Sequence, residues 1–155
     1  MRRILLGVLL VSVFVAVVLG CAGNTTNNPN GYNITRNQLL GTWRDTNVEA
    51  GGLETACPGT LSLTNGMIVS CGGTIQFRSD MTFTQKIDTF GGTQVTREGR
   101  WTIARNLLSL YFDDVPANQA LEQFTLILGE DGNSFESTHM DNGIAIKVLL
   151  VRQVQ

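Results

Sequence analysis

The sequence has little of what most enzyme chemistry requires. Its 155 residues include one histidine, His139, three cysteines, and eleven basic residues against thirteen acidic ones. No Gly-x-Ser-x-Gly segment presents a nucleophile on a strand-turn-helix elbow, which argues against a hydrolase of that kind. The paired glycines Gly51-Gly52, Gly72-Gly73 and Gly91-Gly92 open no helix and precede no Gly-Lys-Ser/Thr, so they read as turns and not phosphate loops. Lysine and arginine form no cluster of the kind nucleic acid demands. His139 stands near Glu136 and Asp141, but Glu136 and His139 are an odd number of residues apart and point to opposite faces of a strand. It is therefore read as a structural or surface histidine. Neither a metal nor a cofactor is expected, and the chain is not expected to be an enzyme.

Long apolar runs are missing from all but one place. Met1-Arg2-Arg3, then residues 4–19 without a charge, then Gly20-Cys21, form the positive start, apolar middle and small-residue end of a secretory leader. The run is about sixteen residues, short of the ~20 needed to span a bilayer as a helix. Removing residues 1–20 leaves nine basic and thirteen acidic residues, a net charge of -4, in a chain of single-domain size.

Val18-Leu19-Gly20-Cys21 resembles the lipobox of bacterial lipoproteins. That resemblance implies cleavage before Cys21, acylation of its thiol and amino group, and a membrane lipid as its partner. Ala22, in place of the aspartate that marks inner-membrane retention, implies the outer membrane facing the periplasm in a Gram-negative cell. Gly23 to Gly31 is polar and uncharged, too poor in apolar area to offset its chain entropy, so residues 21–33 are expected to be a flexible tether. In an exported chain the default for Cys57 and Cys71 is a disulfide. A redox or metal-binding pair is the alternative; it lacks Cys-x-x-Cys spacing and has its sole histidine far away.

Residues 34–155 are patterned with a period of two. Phe83, Gln85 and Ile87 alternate with Thr84 and Lys86; Phe124, Leu126 and Leu128 share a face, as do Ile144, Ile146, Val148 and Leu150. Ser79-Asp80, Gly91-Gly92, Arg105-Asn106, residues 129–132 and Asp141-Asn142-Gly143 separate such runs with residues that accept tight turns. A strand over 41–48, a short irregular one near 61–63 or 67–69, and six clear strands after Gly73 make eight. The expected fold is all-β, an eight-stranded antiparallel up-and-down barrel closed on itself. Thr35 and Gln38 have capping-box spacing, with Ile34 as a hydrophobic staple, so a short helical turn should plug one end.

Leu40-Gly41-Thr42-Trp43, opening the first strand of such a meander, resembles the lipocalin superfamily and, within it, short bacterial lipocalin-like lipoproteins. The resemblance implies that Gly41, Trp43 and Arg152 close one end of the barrel, the guanidinium stacking on the indole, and that the interior holds a small apolar or amphipathic ligand without altering it. Phe77, Phe83, Gln85, Trp101 and Phe124 are the expected cavity-lining residues. The competing expectation is a solid barrel that docks another envelope protein through its surface.

If Cys21 is acylated, cells fed radiolabelled palmitate will label the wild-type protein and not the Cys21→Ser variant. Equal labelling of both, or of neither, contradicts the lipoprotein reading.

Overall fold

The computed structural model describes residues 33–89, 92–116 and 121–154. The leader, Cys21 and most of the tether lie outside them. A single turn of helix, α1 (Arg36–Leu39), precedes eleven strands: β1 (Gly41–Ala50), β2 (Leu53–Ala56), β3 (Gly59–Ser62), β4 (Ile68–Cys71), β5 (Gly73–Phe77), β6 (Thr82–Asp88), β7 (Gln94–Ala104), β8 (Leu107–Phe112), β9 (Leu121–Leu128), β10 (Ser134–Asp141) and β11 (Ile144–Arg152). Every pairing is antiparallel. The order runs β1-β5-β6-β7-β8-β9-β10-β11, and β11 pairs back onto β1. This is a closed, eight-stranded, up-and-down barrel of lipocalin-like form.

The count of eight agrees with the periodic pattern, but its membership differs. Seven barrel strands follow Gly72, not six, and the irregular segment near residues 61–69 contributes none. It forms instead a separate hairpin of β3 and β4. The reason is visible in β1, whose first half (Gly41 to Arg44) pairs with β5 and whose second half (Asn47 to Ala50) pairs with β2. The chain thus leaves the barrel after β1, makes an excursion, and re-enters at Gly73. Met81 sits in the β5–β6 turn with φ 68°, where Asp80 accepts hydrogen bonds from the Thr82 amide (3.0 Å) and hydroxyl (2.7 Å). The β10–β11 link is a two-residue turn, with Asn142 and Gly143 both at positive φ between the paired Asp141 and Ile144.

A bulge at Thr46 shifts the β1–β11 register between Asp45 and Asn47. It changes which parity faces inward. Trp43 and Asp45 point into the barrel before it, and Val48 and Ala50 after it. Val48 and Ala50 then pack with Ile146 against Leu61, Leu63 and Val69 of the β3–β4 hairpin, a small second core distinct from the main one. Cys57 and Cys71 are disulfide-bonded across the neck of that hairpin, with Cα atoms 5.4 Å apart.

The main core fills the end of the barrel at which α1 sits. Trp43 meets Phe135 edge to face (4.6 Å between centroids), Phe77 meets Trp101 (5.1 Å), and Phe83 meets Phe112 (5.3 Å). Each pair contributes about 0.5 to 1.5 kcal/mol beyond its area burial. The Trp101 indole N–H is buried without a partner, so packing there outweighs a lost hydrogen bond.

Opening the Cys57–Cys71 loop, as in the double variant Cys57→Ala/Cys71→Ala, should cost about 3 kcal/mol on the chain-entropy argument while leaving the tryptophan environment native, because Trp43 and Trp101 pack in the other core. Urea unfolding followed by tryptophan fluorescence measures both. An unchanged midpoint would show that the hairpin is not held by the disulfide.

Candidate ligand-binding cavity

The closed end is built on α1. Gln38 returns to the start of its own turn, accepting from the Thr35 amide at 2.8 Å and hydroxyl at 2.9 Å. Ile34 and Leu39 are buried together as the staple spacing implies, and the Ile34 amide donates to the carbonyl of Arg105 in the β7–β8 turn. The carbonyls that α1 leaves unpaired at its C-terminal side are taken up by side chains. Trp43 Nε1 donates to Leu39 O (2.7 Å), Arg152 Nη1 to Leu40 O (2.5 Å) and Arg152 Nη2 to Gln38 O (2.7 Å). The Arg152 guanidinium carbon lies 4.2 Å from the centroid of the Trp43 ring, and Trp43 and Arg152 are paired across β1 and β11. Gly41 has φ 116°, and a Cβ there would stand 3.0 Å from Arg152 Nη1, so glycine meets both a backbone and a space requirement.

Beyond this packed half the barrel is hollow. A cavity of about 220 Å³ lies between the aromatic core and the barrel's other end. Its wall is mostly apolar: Ile75, Phe77, Leu108, Leu110, Phe124 and Val148. Eight polar residues interrupt that wall: Asp45, Gln85, Glu122, Ser137 and His139, with Ser70, Thr74 and Lys86 at its edge. Of the sequence-derived lining set, Phe77, Gln85 and Phe124 are on the cavity wall. Phe83 and Trp101 are not; they are packed into the aromatic core, Phe83 against Phe112 and Trp101 against Phe77. The interior is thus packed at the end where α1 sits and open beyond it.

The polar groups are not equivalent. Glu122 accepts from Arg97 (3.3 Å), which also meets Asp114 (3.5 Å) and lies over the Phe112 ring (3.5 Å). This ion pair is partly solvated and contributes little to stability. Gln85 Oε1 and His139 Nδ1 are buried with no hydrogen-bond partner, the His139 ring resting edge-on against Phe124 (5.3 Å). Asp45 has no cationic partner among the described residues. Burial pushes its carboxyl up to about 6, the Gly72 amide opposes that by donating to it, and the negative charge of Asp88 adds to the rise. Unpartnered polar atoms in a low-dielectric space cost roughly 1 to 3 kcal/mol each. Where such an atom faces a cavity, a water or a ligand there can supply the missing partner.

Asp45 was missed in the sequence and His139 was read there as structural or surface, although a signal for the inward face existed. Asp45 shares the parity of Trp43, and His139 shares that of Phe135 and Ser137. Periodicity therefore put both on inward faces, but a lone histidine and a first-strand aspartate carry no motif to single them out.

The fold and site define a lipocalin-like barrel with a small, mixed-polarity interior. Solved structures similar to it include a lipocalin-like protein from Bacteroides uniformis (14% identity, 75% of this chain and 99% of that one, TM-score 0.46). A redesigned β-barrel (17%, 77% and 95%, TM-score 0.48) and lobster apocrustacyanin A1 (11%, 78% and 64%, TM-score 0.44) are also similar. At these identities the likeness is one of fold. No family model matches the chain, and no curated protein matches it.

Asp45 makes the pH dependence of stability testable. A carboxyl whose folded value is raised binds more protons folded than unfolded between the ordinary aspartate value of about 3.9 and about 6. Stability therefore falls as pH rises through that window. Asp45→Asn, which keeps an acceptor for the Gly72 amide, should match wild type near pH 3.5 and exceed it by on the order of 2 kcal/mol near pH 7.5 in urea unfolding. A variant less stable than wild type at the higher pH contradicts the placement.

Proposed function

We propose that this domain is a non-catalytic binding protein that holds one small, largely apolar molecule inside the barrel, and that acylated Cys21 anchors it in the cell envelope. The cavity carries the first part. Its walls are apolar, and it has hydrogen-bonding atoms that the protein itself leaves without partners. That is the composition of a site that orients a ligand as well as sheltering it. Its volume of about 220 Å³ exceeds the ~150 Å³ of a cavity that takes benzene and falls below the ~300 Å³ at which sites for drug-sized ligands begin. A single ring with a short arm, or a chain of comparable bulk, fits; a full-length fatty acid does not.

The anchoring part is supported by sequence alone: the leader over residues 1–20, the lipobox-like Val18 to Cys21, the uncharged tether, and Ala22, which favours the outer membrane, facing the periplasm, in a Gram-negative cell. A lipid-tethered binding domain would act on molecules present in the envelope.

Native mass spectrometry of the protein purified from its own cells tests the binding function. The expected result is a fraction carrying one small organic molecule, which is lost in Val148→Phe, where the added ring occupies the cavity. Protein that carries nothing and takes up nothing from a panel of single-ring compounds contradicts the proposal.

A further inference from the structure

The chemistry of the cavity's polar groups narrows what the ligand must offer. Gln85 Oε1 is an acceptor in need of a donor. Asp45, inward on β1, is partly buried and accepts a hydrogen bond from the Gly72 amide. The negative charge of Asp88 lies near it, and Glu122 on β9 shares the wall but is paired with Arg97. The cations near the cavity are already engaged or turned outward. Arg97 is committed to Glu122 and Asp114, and Lys86, at the cavity's edge, is exposed to solvent on β6 between the inward Gln85 and Ile87. His139 Nδ1 can accept or donate according to its tautomer. The wall thus presents an unpartnered acceptor and a carboxylate without a cationic partner among the described residues, beside an apolar surface. A buried carboxylate without a cation is costly, and a cation delivered by the ligand removes that cost.

We infer that the cavity selects a small primary or secondary amine, carried as its ammonium ion on a single ring or short apolar chain, with Asp45 as counter-ion and Gln85 accepting an N–H. The inference rests on the cavity being a ligand site. The ammonium supplies donors to Asp45 and Gln85 at once, which a lone hydroxyl with its single proton does not. A carboxylate ligand would place a like charge against Asp45. The apolar body would sit on Phe77, Leu110 and Phe124.

Three probes of near-equal shape separate head-group chemistry from cavity filling: 2-phenylethylamine, 2-phenylethanol and phenylacetate. Isothermal titration at about pH 7.5, above the Asp45 range, should give the amine an affinity at least about tenfold above the alcohol, with the acid weakest, since a buried charge-assisted hydrogen bond is worth about twice a neutral one. Asp45→Asn should erase the amine's advantage while leaving the alcohol's affinity within about threefold, which also shows that the variant folds. Binding of the alcohol or the acid as tightly as the amine overturns this inference and leaves the binding function standing. Binding of none of the three overturns both.

Discussion

Arg152 stacked on Trp43 is the contact around which the rest of the molecule is arranged. The two residues are cross-strand partners at the seam where the last barrel strand meets the first, so their contact fastens the closure of the sheet. The same guanidinium and indole take up the free carbonyls of α1, turning a four-residue helix that could not persist alone into a fixed plug. Gly41 makes room for the guanidinium, and the staple of Ile34 and Leu39 joins the plug to the aromatic core. A planar, permanently charged group with several donors is suited to this double role; lysine is not.

A closed, solid half permits an open, hollow one. Trp43, Phe77, Phe83, Trp101, Phe112 and Phe135 supply the main core, so the remaining interior need not be filled to keep the barrel closed. The bulge at Thr46 and the disulfide-bonded β3–β4 hairpin bring a second core to β1 and β11 at the other end. Between these two cores the cavity retains a carboxylate, an amide oxygen and an imidazole nitrogen at some cost in folding energy. Such a local sacrifice of stability is characteristic of binding sites.

Much of the barrel was legible in the sequence because its signals are local. Period-two alternation marks half-buried strands, and Asn142-Gly143 or Arg105-Asn106 can do little other than turn. The Gly-x-Trp segment and Arg152, far apart in the chain, were joined through resemblance and are joined in space. The excursion over residues 51–72 was not legible. Its strands are four residues long, and what decides that it stands outside the barrel is the switch of β1 from β5 to β2, a non-local event. The cavity was legible only in part. Alternation tells which residues face inward but not which of them pack against one another, so Phe83 and Trp101 were grouped with Phe77 and Phe124. Which inward residues meet depends on strand register and stagger, which a single sequence does not display.

The central claim is that the interior is filled at one end and hollow at the other. Diffraction from crystals pressurised with xenon addresses that claim directly, since xenon enters apolar cavities and needs no hydrogen bond. The account predicts one principal xenon site in contact with Leu108, Leu110, Phe124 and Val148, and none among Trp43, Phe83, Trp101 and Phe112. No interior xenon, or xenon within the aromatic core, would contradict it.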